Sequence, residues 1–297
     1  MNYYIYGFTD RGNYRNHNED AILVSQHILQ NGGSEAIESA PFISGLCDGV
    51  GGEHKGEIAS RICLQYLSML EYSHSTDITH ELLNIHNNIK KYGILHDCVN
   101  MQTTLCSLAI DENCRAVCIN VGDSRLYRYV RGKARQISSD QTYGRYLYEQ
   151  GEINDIDELE PQMRSAIISS MGSVMQEPKI DCIPFTTPFG CESDDTVFIC
   201  SDGVSDFMST DEIEIAMSLE IPLKDKVEAL CELALKNGSL DNISIVAIKP
   251  YNSPDELEQI TCYPVKEEFI PEIATEEKGL ADQSISDLEQ LIIDLNS

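Results

Sequence analysis

Gly45-Leu46-Cys47-Asp48-Gly49-Val50-Gly51-Gly52 continues an apolar run, Pro41-Phe42-Ile43-Ser44. Together they read as a short buried strand that ends in one carboxylate and a cluster of glycines. Glycine lets the backbone approach a ligand closely and adopt positive φ, so Asp48 is held out at a strand end with main-chain carbonyls beside it. That suits a hard cation, which takes carboxylate and carbonyl oxygens, although Asp-Gly is also a common hairpin turn. The pattern recurs: Thr196-Val197-Phe198-Ile199-Cys200-Ser201-Asp202-Gly203-Val204 is a second apolar run entering Asp-Gly-Val. Two strand-end carboxylates are the minimum for a site that holds two metal ions.

Around these two segments, residues 3–9 and 21–28 read as strands, separated by the polar loop of residues 10–20. Residues 31–34, Asn-Gly-Gly-Ser, read as a turn. From Gly56 to Tyr72, Ile58, Ala59, Ile62, Cys63, Tyr66, Leu67 and Leu70 recur at helical spacing. A second helix starts at Asp77 or Thr79 and runs to about Lys91. Strands follow over residues 103–110, 115–121 and 125–130, with a short one near Gln136-Ile137. Residues 142–171 are polar and irregular, and read as a mobile insertion lying over something. Helices are expected from Thr210 or Asp211 to about Leu219 and over 223–236, the latter after Pro222 and ended by Asn237-Gly238. Residues 243–248 form a last buried strand. Many antiparallel-looking strands with a few long helices give an α+β chain rather than an alternating parallel sheet.

Composition bounds the function. The 297 residues carry a net charge of −28, which argues against nucleic acid or an anionic membrane as partner. No apolar run approaches the length of a membrane span, and no secretory signal is visible at the N-terminus. The eleven cysteines form no Cys-x-x-Cys pair, which favours reduced thiols and a cytoplasmic protein. Residues 1–250 read as one domain. Residues 251–297 hold twelve acids against Lys266 and Lys278 and read as an acidic tail, partly disordered or a docking helix at 285–295.

The remaining polar motifs gather around the two aspartates. Arg15-Asn16-His17-Asn18-Glu19-Asp20 offers a guanidinium and two carboxylates. Val121-Gly122-Asp123-Ser124-Arg125 interrupts a strand, Ser201-Asp202-Gly203-Val204-Ser205-Asp206 supplies two acids four apart, and Asp241-Asn242 precedes the last strand. In an antiparallel sandwich a strand start shares an edge with its neighbours' ends, so Asp48, Asp202 and Asp241 can converge. Oxygen-only ligands select Mg²⁺ or Mn²⁺, and two such ions share and activate a water. Arg15 is a natural fork for a phosphate. Phosphoester hydrolysis is the chemistry these residues point to.

This ordered set, across about residues 7–249, resembles the metal-dependent Ser/Thr protein phosphatase family (type 2C, PPM) in its compact bacterial form. The signatures are Arg-x-x-Asn-Glu-Asp, Asp-Gly-Val-Gly-Gly with Gly-Glu-x-Ala-Ser, Val-Gly-Asp-Ser-Arg, Ser-Asp-Gly-Val-x-Asp and Asp-Asn-Ile-Ser. The resemblance implies a four-layer α-β-β-α sandwich of two antiparallel sheets flanked by helices, with the metals in the cleft at the sheet edges. It implies that Asp48 bridges two ions and Gly49 gives its carbonyl, while Asp202 and Asp241 complete one shell. Glu19 and Asp20 would act through waters or support the shell, Arg15 would hold the phosphate, and Asp123 with Asp202 or Asp206 would form a weaker third position. Residues 142–171 fall where the family carries its flap. The chain departs from the family pattern at Glu53, where histidine is usual, at Gln102 in place of glycine, and at Gln141 in place of histidine. His54 and His17 are the candidates to protonate the leaving oxygen.

The reaction so implied is hydrolysis of phosphoserine and phosphothreonine by direct attack of a bimetal-bound hydroxide. The substrates would be phosphorylated proteins, in opposition to a Ser/Thr kinase. Two other readings stand beside it: a catalytically inactive, protein-binding member of the family, and a small-molecule phosphoesterase.

Overall fold

The computed structural model describes residues 1–50 and 55–264. The Gly51-Gly52 end of the opening motif, Glu53, His54 and the expected 285–295 helix lie outside them. The first half of the chain holds β1 (Asn2–Asp10), β2 (Ala21–Val24), β3 (His27–Leu29), β4 (Gly32–Ser39), β5 (Phe42–Cys47) and β6 (Gly49–Val50). Helices α1 (Gly56–Ser68) and α2 (Ile78–Leu95) come next, and then β7 (Gln102–Thr103), β8 (Leu105–Ile110), β9 (Ala116–Val121), β10 (Arg125–Val130) and β11 (Lys133–Gln136). After α3 (Tyr143–Gln150) and α4 (Pro161–Arg164) the chain forms β12 (Asp181–Pro184), β13 (Thr196–Cys200) and α5 (Asp202–Ser205). It closes with α6 (Thr210–Ser218), α7 (Leu223–Lys236), β14 (Ile243–Tyr251) and α8 (Pro254–Thr261).

Two six-stranded antiparallel sheets result, ordered β11-β10-β13-β14-β1-β4 and β12-β9-β8-β5-β2-β3. Alternation along the strands builds three apolar interfaces. Tyr3 and Ile5 face the other sheet, where they meet Ile22, Val24 and Leu46, alongside Val197 and Val246 of their own sheet. Tyr4 and Tyr6, one residue out of phase, face α6 and α7 with Phe198, Val227, Leu230 and Ile245. On the second sheet Ala21, Leu23 and Cys47 face α1 and α2 through Ala59, Cys63, Leu82 and Ile89. The four layers are therefore helix, sheet, sheet, helix, as expected.

Local chemistry explains the helix ends. The Asp77 carboxylate accepts from the His80 N–H at 3.1 Å and caps α2. Ser209 and Glu212 form a reciprocal box at the start of α6. α7 occupies the expected residues, with Pro222 before it and Gly238 at φ 95° after it.

Four expectations are revised. Residues 21–28 are two strands rather than one, because Ser25 turns the chain at φ 58° and Val24 pairs with His27. Residues 32–34 belong to an edge strand rather than a turn, which leaves only Asn31 of the four in the bend before it. β4 pairs with β1 through seven residues beyond Asn2, and the Tyr6 hydroxyl lies over the open side of Gly33. β12 had no counterpart in the sequence reading, since only four residues, three half-buried and one exposed, pair with β9. Finally, ordered chain continues past residue 250. Tyr251 closes β14, and α8 packs Ile260 and Leu257 on the α7 side of the core.

Candidate active site

β5 delivers Asp48 to the sheet edge, and its main chain is locked on both sides. The Asp48 N–H donates to Thr104 Oγ1 at 2.9 Å, and the Asp48 carbonyl accepts from the Thr104 N–H and from Thr103 Oγ1, each at 2.8 Å. Gly49 then passes against the first turn of α1. A Cβ there would overlap the Gly56 backbone and stand 2.7 Å from the Glu19 carbonyl oxygen, so a side chain is excluded. The Gly49 N–H donates to that Glu19 carbonyl at 3.2 Å, and Ser60 Oγ donates to it at 2.6 Å. The Glu19–Asp20 segment is thereby fastened beside Asp48.

Asn242 fastens it from the other side. Its Oδ1 accepts from the Glu19 N–H, and its Nδ2 donates to the carbonyls of Arg11 and His17, all at 2.9 Å. It is 4 % exposed, so these bonds form away from competing water. Asn242→Ala removes all three and is expected to cost about 3 kcal/mol, at roughly 1 kcal/mol per bond. Thermal unfolding of the metal-free protein measures this. An unchanged midpoint would mean that the polar loop of residues 10–20 is held by other contacts.

Five aspartates meet at this edge. Asp20 is fully buried; Ser244 Oγ donates to its Oδ2 at 2.6 Å, and burial with the nearby Asp202 charge raises its pKa to about 7. Asp48 is pushed well above the ordinary carboxylate range by burial and by the charges of Asp20, Asp202, Asp123 and Asp241. Asp202 opens α5 and is raised to about 6 by burial, Asp241 and Asp206, partly offset by a hydrogen bond with the Asp48 carboxyl. Asp123 is 7 % exposed and is also raised, by burial and then Asp202. Asp241 lies at the head of β14, where Asn242 N–H donates to its Oδ1 at 2.8 Å and Arg15 Nη2 to its Oδ2 at 2.6 Å.

Asp20 Oδ1, Asp123 Oδ1 and Asp202 Oδ1 are buried without any hydrogen-bond partner. Buried polar atoms are rarely left so, and carboxylates driven together without a counter-charge hold protons instead. Among the described residues no trio of acidic, imidazole or thiol groups is gathered closely enough to ligate an ion as it stands. Two of the acids at this edge are engaged by arginines instead, Asp241 by Arg15 and Asp206 by Arg125 Nη2 at 3.1 Å. An all-oxygen donor set with unpartnered buried oxygens fits a hard divalent cation.

The other expected residues sit as follows. Glu19 is half-buried beside Asp20, while Arg15 and His17 lie on the exposed loop. Asp206 lines, with Asp123, Asp140 and Asp202, a cleft of about 540 Å³. The 142–171 insertion forms its far wall through Thr142, Arg145, Ile156 and Arg164. That wall is stitched to the site by Thr103, which exchanges backbone hydrogen bonds with Met171 at 2.8 and 3.1 Å. Gln141 is structural: its Oε1 accepts from the Gly122 N–H at 2.9 Å and its Nε2 donates to Asp181 at 2.8 Å. The roles of Asn242, Ser244, Ser60 and Thr104 escaped the sequence reading. All four are polar residues at buried positions, Ser60 on α1, Ser244 within β14, and Thr104 and Asn242 just before β8 and β14.

No protein-family model matches the chain. Protein phosphatase PhpP of Streptococcus pneumoniae is 30 % identical over 249 residues, covering 81 % of this chain and 94 % of that protein. The crystal structure of the Mycobacterium tuberculosis serine/threonine phosphatase PstP/Ppp superposes with a TM-score of 0.68 at 25 % identity, over 85 % of this chain and all of that one. The catalytic domain of PstP in complex with two manganese ions matches with a TM-score of 0.64 at 26 % identity, over 84 % of this chain and 99 % of that one. These relatives favour neither an inactive binding module nor a small-molecule phosphoesterase. Sequence order, fold and relatives agree: the chain belongs to the bacterial metal-dependent Ser/Thr protein phosphatases of the PPM type and is a phosphoprotein phosphatase.

Proposed function

We propose that Asp48, the Gly49 carbonyl, Asp202 and Asp241 hold two Mg²⁺ or Mn²⁺ ions, with Glu19 and Asp20 supporting them through waters and Asp123 with Asp206 forming a weaker third position. The observation that carries this is the set of buried, unpartnered oxygens on Asp20, Asp123 and Asp202. When bound, such ions supply an activated water and offset the charge of the phosphoryl group.

The chain's own groups do the rest. Arg15 is about half exposed, with one nitrogen on Asp241. From there its guanidinium can bind a phosphate beside the carboxylate cluster. Asp241 holds that guanidinium against the carboxylate cluster, so substrate and cluster share one reference point. A cysteine phosphoenzyme is disfavoured, because burial and the adjacent Cys63 raise the Cys47 thiol beside Asp48 well above its ordinary pKa.

Arg15→Ala is expected to raise KM for a phosphothreonine peptide about 10–100-fold, the worth of a charged hydrogen bond, with a smaller effect on kcat. Steady-state kinetics in saturating Mn²⁺ tests this, and a KM within twofold of the parent refutes the assignment. Running a nucleotide monophosphate in parallel checks the substrate class, since the peptide is expected to be the better substrate by at least about tenfold (1.4 kcal/mol).

The substrate class implies an opposing Ser/Thr kinase as partner. All eleven cysteines are free and six are buried, which supports a reducing, cytoplasmic setting. Among the described residues no helix is long and apolar enough to cross a membrane. The net charge of −28 disfavours nucleic acid and anionic lipid.

A further inference from the structure

α2 buries Leu82, Ile85, His86, Ile89 and Gly93, and its opposite face differs from the rest of this acidic surface. Asn84, Asn87, Asn88, Lys91 and Ile94 recur there at helical spacing, with Lys90 at the border, and line a shallow groove. Ile94 and the adjoining Leu95 are 61 % and 78 % exposed. Lys90 and Lys91 are the only two consecutive basic residues in the chain. Among the described residues neither is ion-paired, whereas Lys55, Lys133 and Lys179 each hold an acid. The face is therefore apolar at one end, cationic in the middle and amide-rich at the other, with none of the described residues covering it.

Residues 265–297 carry nine acids against two lysines. Within them Ile285, Leu288, Ile292 and Leu295 fall at helical spacing, and Asp287, Glu289 and Asp294 stand between them. An apolar stripe edged with carboxylates is the complement of an apolar stripe edged with lysines. Length permits the match. The twenty residues 265–284 can span about 65–70 Å when extended, against a radius of gyration of about 18 Å for a domain of this size.

We propose that residues 285–295 dock on the outward face of α2 of the same chain, with their acids against Lys90 and Lys91 and their apolar stripe on Ile94 and Leu95. This face borders the crevice lined by Lys55, Ile58, His96 and Val99. Lys55 precedes Gly56, which abuts Gly49, so the docked segment lies next to the rim of the candidate metal site.

Hydrogen–deuterium exchange on the full chain at low salt tests the docking. Amides of residues 285–295 are expected to exchange at least about tenfold more slowly than in the same sequence as a free peptide (1.4 kcal/mol of protection). Lys90→Glu with Lys91→Glu is expected to abolish that protection while leaving the melting temperature of the domain unchanged. Adding Asp287→Lys, Glu289→Lys and Asp294→Lys to that variant is expected to restore it. Exchange at the free-peptide rate in the parent overturns the proposal. So does protection indifferent to the lysine reversals, which places the segment elsewhere, or protection that grows with protein concentration, which assigns the face to a second copy.

Discussion

Asp48→Asn is expected to lower kcat/KM for a phosphothreonine peptide at least about 10³-fold, the scale seen when a preorganised electrostatic contact at a reacting centre is removed. Three observations single out this residue. Its main chain is fixed by Thr103 and Thr104 through three hydrogen bonds. Its carboxyl is close enough to Asp202 to perturb that residue's pKa directly. Its pKa is raised by four other aspartates at once, which makes it the acid nearest the centre of the negative charge. Asparagine keeps the shape and removes the charge. The loss is expected to persist at saturating Mn²⁺, and calorimetric titration should count fewer bound ions. Stability separates this from misfolding. Deleting one of several mutually repelling carboxylates relieves the metal-free fold, so the melting temperature in chelator is expected to rise while activity falls. Activity within tenfold of the parent would remove Asp48 from the ligand set.

Legibility in the sequence followed the strength of the local signal. Asp48 and Asp202 were readable because each ends a run of buried strand residues and is followed by glycine, a pattern with few structural uses. Helix α7 was readable to the residue because Val227, Leu230, Cys231 and Ala234 fall on one stripe between Pro222 and Gly238. β4 was not, because Gly32–Ser39 is an edge strand whose burial pattern alternates only between half-buried and exposed. Its position comes from backbone pairing with β1, a contact that leaves no mark on side-chain polarity. The convergence of Asp20, Asp48, Asp123, Asp202 and Asp241 was expected from strand topology and the family resemblance. The apparatus that holds them was not, because Asn242 reaches Glu19 across 223 positions of sequence and Ser244 reaches Asp20 across 224. Nor was the buried pair of Arg128 with Asp195 at 2.6 Å, since nothing in a single sequence joins a strand arginine to an acid 67 positions on.

The same carboxylates make stability depend on pH in a direction opposite to that of a salt-bridged acid. In the unfolded chain each aspartate titrates near its ordinary value of 3.8, whereas in the fold Asp202 titrates near 6 and Asp20 near 7, with Asp48 and Asp123 also raised. Between pH 4 and 7 the folded state thus binds more protons than the unfolded one, so unfolding becomes more favourable as pH rises. The stability these protons provide is complete below about pH 4 and is lost as pH passes through 6 to 7. In chelator the melting temperature is expected to drop on the order of 5–10 °C between pH 5 and pH 8. Divalent cation reverses the trend, because it binds the deprotonated form and must displace protons at pH 5 but not at pH 8. Saturating Mn²⁺ is therefore expected to raise the midpoint several degrees more at pH 8 than at pH 5. Calorimetric scans at four pH values, with chelator and with Mn²⁺, measure both slopes. Asp48→Asn is the control for the overall charge of −28, since removing one charge in that total barely alters general repulsion but breaks the local cluster, and its chelator slope is expected to flatten. A chelator curve that is level or rises with pH, or a Mn²⁺ effect of equal size at both ends, would mean that Asp20, Asp48, Asp123 and Asp202 do not titrate as one group and are not the seat of the metal.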